Sequence, residues 1–345
     1  MQSAAHAQGC VAAHGSGVPK SLDASETAGA WDVSVAHRWF TSDKHYVGTA
    51  FQPQRDAKGD QVINHSKFTD VSINYTINSR FSASLTLPYV SHDRSQVVKD
   101  ASGTIIDRFS TQASGLADVS VLGNVWLLNP TNVMKGNLQL GLGLSLPTGK
   151  SNVKDIFETF DRTTGKILGI RKNVDQSIQP GIGGYGIIVS LSGYRTLGAG
   201  FTGYLNGTYT ITPQEMNGTQ TGRGSVYEAV ESIPDTYLGR IGVEYVLPNT
   251  GFSFSGGLRV EGVTVYDLTG GSAGFRRPGY SVAVEPGVGY AGKRWGAHLY
   301  VPIAIQRDRL QSYPDKQRTW ATGTYSQGDA AFANYLVAIS LTYKL

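Results

Sequence analysis

Gly181-Ile182-Gly183-Gly184-Tyr185-Gly186 has the spacing of a dinucleotide-binding turn, GxGxxG. Such a turn cradles a pyrophosphate only where a strand leads in and a helix leads out. Residues 187–192 instead alternate apolar and polar side chains, so a strand follows, and the glycines read as crowded or sharply bent backbone. Leu146-Pro147-Thr148-Gly149-Lys150-Ser151 resembles the end of a phosphate-binding loop, but the glycine required five residues before Gly149 is Leu144. No GxSxG elbow is present, and the histidines show no HExxH or comparable ligand spacing, so neither a catalytic serine nor a metal site is indicated. Cys10 is the one cysteine, and Ala7-Gln8-Gly9 before it matches a lipidation signal poorly. No cofactor is expected.

A larger set of ionisable residues shares one feature. Asp32, Arg38, Asp70, Asp118, Arg240, Glu244, Arg259, Glu261, Glu285 and His298 all fall at the small, polar positions of alternating segments. Both signs occur, so charges brought together there would pair, because an isolated buried charge is costly. Arg240 and Glu244 lie on one segment and Arg259 and Glu261 on the next, which predicts a cross-strand ion cluster. Bracing and contact with a passing solute are both open to these residues. No ladder of Arg or Lys points to strong anion selectivity. Basic residues are dispersed beside acidic ones, which excludes a nucleic-acid surface.

The segments that position these residues have a period of two. Val71-Ser72-Ile73-Asn74-Tyr75-Thr76-Ile77 changes character at every step, as do residues 81–87 and 138–146, and residues 201–212, 237–247, 252–260 and 335–345 are further segments of the same pattern. Strict alternation gives a strand two unlike faces and would scatter apolar groups around a helix. About twelve strands are expected, several reaching the nine to eleven residues that cross a bilayer at a tilt. One face is bulky and apolar; the other is Ser, Thr, Asn, Gln and Gly. A soluble sandwich would carry charge on its polar face. Only 16% of the 345 residues are charged, with 43 Gly and 18 Tyr, and no apolar run approaches the length of a membrane helix. These features predict an all-β chain: a transmembrane, antiparallel, up-and-down β-barrel with lipid outside and a crowded wet lumen.

Connection lengths agree. A first strand near residues 30–40 is followed by about 25 residues, then by Asn78-Ser79-Arg80, about 20 residues, and a turn near 129–135. Next come about 30 residues (148–177), a turn near 195–199, about 20 residues (213–234), and the turn 248–251. A loop near 267–278, the turn Gly292-Lys293-Arg294 and a loop near 308–327 complete the series. Long and short alternate throughout, as periplasmic turns and external loops do in outer-membrane barrels, and both termini then lie on the periplasmic side. Aromatic residues of the apolar parity flank the short turns: Tyr75, Phe81, Phe201, Tyr245, Phe252, Tyr290, Trp295, and Tyr343 at the chain end. A membrane-interface girdle belongs there. The final strand runs to Leu345, resembling the C-terminal assembly signal of outer-membrane proteins, which usually ends in Phe. Residues 1–29 lack periodicity and are expected to form a periplasmic segment, either a signal remnant, since Ala5-His6-Ala7 resembles a cleavage site, or a plug. Residues 30–345 are expected to form the barrel.

Several strand-end motifs resemble one bacterial family. Leu87-Pro88-Tyr89, Gly115-Leu116-Ala117-Asp118, Leu146-Pro147-Thr148-Gly149, Gln179-Pro180-Gly181 with Gly183, and Val301-Pro302-Ile303 are similar in order and placement to motifs of the outer-membrane family named for the meta-pathway of phenol degradation, whose members are described as transporters. The resemblance spans about residues 30–345 and implies a β-barrel that admits aromatic or other small apolar compounds. The chain departs from the fatty-acid and toluene channels grouped with that family, which have about fourteen strands and a substantial N-terminal hatch.

The expected function is an outer-membrane channel of a Gram-negative bacterium, not an enzyme, passing small solutes in contact with membrane lipids and lipopolysaccharide. Two alternatives stand beside it. One is a structural barrel that binds a protein partner through its external loops. The other is a lipid hydrolase, for which His37 lies on the lipid-facing parity near the first external loop.

Overall fold

The computed structural model describes residues 28–128 and 135–345. The readings of residues 1–29, of Cys10 and of the turn near 129–135 therefore fall wholly or mostly outside the described residues. Twelve antiparallel strands close into a barrel. They are β1 (Trp31–Val47), β2 (Ile63–Thr76), β3 (Phe81–Lys99) and β4, which is split into Ile105–Leu116 and Val119–Trp126. Then follow β5 (Gly136–Leu146), β6 (Gly186–Gly198), β7 (Phe201–Ile211), β8 (Thr236–Val246), β9 (Phe252–Val263) and β10 (Gly279–Ala291). The last are β11, split into Trp295–Tyr300 and Ile303–Arg309, and β12 (Ala330–Lys344). Each strand pairs with its neighbours in sequence, and β1 pairs with β12 from Asp32↔Lys344 to Tyr46↔Ala330, which closes the sheet and removes its edges.

Burial follows the alternation, but inverted relative to a soluble protein. On β5, Leu142 is 65% exposed and Leu144 53%, while Asn137 between the walls is 4% exposed. Arg38, Asp70, Arg240, Arg259 and Glu285 are buried, whereas Val35, Val121, Ile241 and Leu341 are exposed. Charged side chains are almost never fully buried in water-soluble domains unless paired. Apolar-out and polar-in is the arrangement a lipid solvent requires, since backbone polar groups are satisfied around the ring and the outer side chains meet hydrocarbon. No described helix is long and apolar enough to cross a membrane, which says nothing of strands.

The connections alternate between the two ends as expected, with two corrections on the long side. β1 does not stop near residue 40; it runs to Val47. Beyond Phe40 the side chains of both faces are mostly polar, so the hydropathy alternation disappears while the ladder to β12 continues. The expected loop of about 20 residues after Leu87 is instead a hairpin that prolongs β3 and β4, with Lys99 opposite Ile105. Asp100 makes the reversal, its Oδ1 accepting from the amides of Ser102 and Thr104 at 2.9 Å each. Two long connections carry helices: α1 (Pro53–Lys58) follows β1, and α2 (Tyr313–Thr322) precedes β12. α2 starts at Ser312, whose side chain and that of Asp315 cap each other's backbone amides. The connection 147–185 contains its own hairpin, Lys154–Asp161 with Lys166–Asn173.

At the opposite end the turns are short. Between β6 and β7 the reversal is made at Ala199 and Gly200, with φ of 52° and 83°. Two successive left-handed residues give the turn a twist that matches the flanking strands.

Candidate functional site

The inward parity of β8, β9, β10, β1 and β2 carries the charges. Arg240 on β8 donates through Nε to Glu285 Oε1 on β10 at 2.7 Å, reaching past β9. Arg259 on β9 is 3.4 Å from the other oxygen of Glu285 and donates to Glu261 at 2.9 Å. Glu261 in turn lies 3.9 Å from Arg38 on β1, a strand not adjacent to β9. The result is a chain of alternating charges across one side of the lumen. Arg38 lies 4.3 Å over Phe68, and Arg240 lies 4.6 Å over Tyr300 and 6.0 Å over Tyr204. Aromatic faces supply further attraction to these guanidinium groups.

The expected cluster therefore forms, with altered membership. Glu244 is not among its ion pairs; it accepts from Ser253 Oγ at 2.5 Å nearer the short-turn end. Asp32 accepts from Asn74 Nδ2 at 2.7 Å. Asp70 is buried and lines the cavity described below. His298 stacks on Tyr300 with rings 5.9 Å apart and an interplanar angle of 6°. Tyr300 shares the lumen parity of His298 in the sequence, whereas Tyr204, on the same parity of β7, was missed by the sequence reading.

Asp118 takes a different place. It sits at the break in β4, where its two carboxylate oxygens accept from Gly149 N at 3.0 Å and Ile182 N at 2.8 Å. Thr148 Oγ1 accepts from Val119 N and donates to Ala117 O at the same break. Gly149 and Gly181 pack backbone to backbone: a Cβ on either would lie 2.7 Å from the other's Cα. Only glycine allows that approach. Ala117 N also donates to Pro88 O at 2.8 Å. Four of the short motifs thus converge on one point, where the connection 147–185 is fastened to the barrel wall. Asp118 is a fastening for loop backbone rather than a member of the lumenal ion chain.

Above this point three external connections interlock. Arg277 reaches Asp175 at 2.5 Å, and Arg94 from β3 lies 3.8 Å from the same carboxylate. Arg276 pairs with Asp267 at 2.6 Å, Gln176 donates to Ser232 O at 2.7 Å, and Ile178 and Ile233 are fully buried. Burial opposes the ionisation of Asp175, but the Arg277 and Arg94 guanidinium groups overcome it and hold its carboxyl well below the usual range. Glu231 has the reverse balance. Burial pushes it up to about 8, against the Asn217 amide that donates to it at 3.3 Å, and the negative Asp175 adds to the rise. Burial likewise lowers the Arg223 guanidinium to about 10. These loop residues carry no periodic signal, so their meeting was not legible in the sequence.

Beneath this cover lies a cavity of about 140 Å³. Its roof includes Gln176, Pro180, Glu231 and Arg277, and its floor includes Thr86, Ser120, Ser145 and Thr210. Phe68, Pro88, Val90 and Ile188 give it apolar walls. A pocket that is mostly apolar with few placed polar groups suits a small organic molecule.

The aromatic residues at the short-turn end form cross-strand ring pairs. Phe201 meets Tyr245 at 4.7 Å, Phe252 meets Tyr290 at 5.0 Å, Trp295 meets Tyr343 at 4.5 Å, and Trp31 meets Tyr75 at 4.5 Å. Phe81 is exposed on the same face. Trp31 was not named in the girdle because it opens the first expected strand rather than flanking a short turn. A second level exists as well. Trp31 and Trp39, Phe81 and Tyr89, Phe201 and Tyr209, Tyr237 and Tyr245, and Tyr335 and Tyr343 are each eight residues apart on one outward face. That separation is about 26 Å along a strand.

No protein-family model matches the chain, and no curated protein matches it. The fold is similar to the crystal structure of an outer membrane channel from Pseudomonas putida F1, with a TM-score of 0.57, 12% identity, and coverage of 95% of this chain and 100% of that one. The P. putida toluene transporter TodX aligns over 93% of this chain and 91% of that one, at 11% identity and a TM-score of 0.47. The translocator domain of the autotransporter NalP from Neisseria meningitidis aligns over 92% and 89%, at 12% identity and a TM-score of 0.46. At these identities the likeness is one of architecture.

Proposed function

We propose that this chain is a passive channel for small solutes in the outer membrane of a Gram-negative bacterium. The observation that carries the reading is the placement of an organic-sized cavity inside a closed, apolar-coated barrel, directly above a polar lumen. The architecture shared with the P. putida F1 channel supports it. The two levels of outward aromatic residues are where a bilayer would have its interfaces, so lipid and lipopolysaccharide surround the wall between them. The ion chain from Arg38 to Arg240 and its neighbours Asp32, Asp70, Glu244 and His298 line the passage. The apolar walls of the cavity and the motif resemblance together favour aromatic or other small apolar compounds, and membership of the phenol-degradation transporter family.

The test is electrical and osmotic. Purified, folded protein in planar bilayers should give stepwise currents, and proteoliposomes should swell in small neutral solutes. Absence of both would refute the channel.

One observation favours a second reading, a barrel that binds a partner at the cell surface. Trp320, Tyr325, Leu268 and Val226 are exposed by 84%, 67%, 66% and 83% on the external connections. A stoichiometric protein co-purifying from native membranes, and lost on Trp320→Ser, would support it. The hydrolase reading finds less: on the outward face His37 Nδ1 meets a threonine hydroxyl, Thr69 Oγ1, at 2.8 Å.

A further inference from the structure

The lumen has two unlike halves. On β8, β9, β10, β1 and β2 the inward positions hold Arg240, Glu244, Arg259, Glu261, Glu285, Asp32, Arg38 and Asp70. From Ser82 to Val90 on β3, along the lower segment of β4, and along β5, β6 and β7, the described inward positions hold no Asp, Glu, Lys, Arg or His. They hold hydroxyls and amides, among them Ser84, Asn124, Gln139, Ser192, Asn206 and Thr208, interspersed with glycines and with apolar or aromatic side chains such as Leu122, Trp126, Ile188 and Tyr204. The ion pairs are chords confined to the first half: Arg240 to Glu285 spans β8 to β10, and Arg38 to Glu261 spans β1 to β9. Most of the cavity floor belongs to the second half, since Thr86, Ser120, Ser145 and Thr210 come from β3, β4, β5 and β7, while Asp70 on β2 and Thr236 on β8 line the cavity from the first.

We infer that solutes leave the outer cavity and descend off-axis, along the hydroxyl wall formed by β3 to β7, and that this wall selects uncharged molecules that can hydrogen-bond. The inference rests on the channel reading. Its physical basis is the difference between the two halves. A fixed guanidinium or carboxylate already engaged in an ion pair binds water and solute strongly or resists displacement, because unpairing a buried charge is costly. A Ser or Thr hydroxyl both donates and accepts and turns freely. Neighbouring polar groups, such as the Asn206 amide and the Ser192 hydroxyl at 3.2 Å, or Thr86 and the Ser72 hydroxyl on bordering β2 at 2.9 Å, offer a succession of weak partners. Movement through a pore needs sites that are weak and multiple. An ion of either sign finds no counter-charge on this wall, so anions and cations are both disfavoured relative to neutral molecules.

The experiment places single cysteines in the full chain after Cys10→Ser. Ser192→Cys and Ser84→Cys lie on the hydroxyl wall; Ser34→Cys on β1 and Ser255→Cys on β9 lie on the charged half. Folding of each is checked by heat-modifiable electrophoretic mobility, and thiol labelling is quantified by mass spectrometry. Each is treated with a trimethylammonium-ethyl methanethiosulfonate, and swelling of proteoliposomes in glycerol and in arabinose is measured before and after. Labelling at Ser192→Cys or Ser84→Cys should slow swelling by roughly fivefold or more, and labelling at Ser34→Cys or Ser255→Cys should change it by less than about twofold. Swelling in neutral solutes should exceed the permeation of sodium acetate and of tetramethylammonium chloride. Equal block from both halves, or block only from the charged half, would overturn the route while leaving the channel intact. Faster permeation of either salt would overturn the selectivity. Folded unmodified protein that passes nothing would overturn the channel itself.

Discussion

Arg240 and Glu285 are joined over the top of an intervening strand, 45 residues apart in sequence, with both side chains only 1% exposed. The pair, extended by Arg259 and Glu261, ties β8, β9 and β10 together from the inside. Glu285→Gln leaves two guanidinium groups facing a neutral amide. Breaking a buried pair from one side typically costs about 3–5 kcal/mol. Urea unfolding of the barrel in lipid vesicles should show a loss of that order, and a smaller loss in the double variant Arg240→Met with Glu285→Met. An unchanged midpoint for Glu285→Gln would contradict the bracing role.

Asp118 holds two loop amides with one carboxylate. Hydrogen bonds to a charged acceptor are worth about 1.5–3 kcal/mol each. Asp118→Ala should therefore release the connection 147–185 without unfolding the barrel. Trypsin cleavage at Lys166 or Arg171 should accelerate about tenfold or more, while heat-modifiable mobility is kept. Equal cleavage rates in the two proteins would argue against the fastening.

Glu231 gives the external cover a pH dependence of defined sign. Its folded pKa of about 8 lies above the unfolded value of about 4.3, so the folded state binds the extra proton between them. The contribution is fully present below the unfolded value and is lost as the pH rises through about 8. Amide exchange in residues 212–235, corrected for intrinsic rates, should show protection that falls from pH 5 to pH 8.5. Glu231→Gln should flatten that profile. Asp175 acts oppositely: its depressed pKa keeps the Arg277 pair intact until strongly acidic pH.

Ala199 occupies a left-handed conformation, φ 52°, that a residue with a Cβ adopts at a cost of about 1–2 kcal/mol. Asn tolerates that region by bonding locally to its own backbone. Ala199→Asn should raise unfolding stability by about 1 kcal/mol with the conductance unchanged. A destabilised Ala199→Asn protein would show that the turn's strain is relieved in another way.

The barrel itself was legible because a lipid-facing strand must alternate, and residues 71–77, 138–146 and 339–345 do so without exception. The lumen charges were legible for the same reason: parity alone placed Arg240, Arg259 and Glu285 on one side of the wall. Their partners were less so. Glu285 lies two strands from Arg240, and chords across a lumen depend on barrel curvature, which no local pattern records. The ends of strands were misplaced where both faces carry mostly polar side chains, as at Thr41 to Val47 and Val90 to Lys99. There the hydrogen-bond ladder persists after the hydropathy signal ends. The cavity roof was illegible because Asp175, Glu231 and Arg277 come from three separate connections.

The confinement of ion pairs to part of the wall divides the mutational landscape of this protein. A substitution at Ser84, Gln139 or Ser192 alters the polar lining of the lumen but strands no buried charge. A substitution at Arg38, Arg240 or Glu285 does strand one. On the proposed channel reading, new specificities are open to single-step evolution on β3 to β7, whereas the ion-paired positions of β1, β8, β9 and β10 must change in compensated pairs. Libraries of variants selected for growth on new compounds should accumulate accepted changes on one side of the barrel and covarying ones on the other.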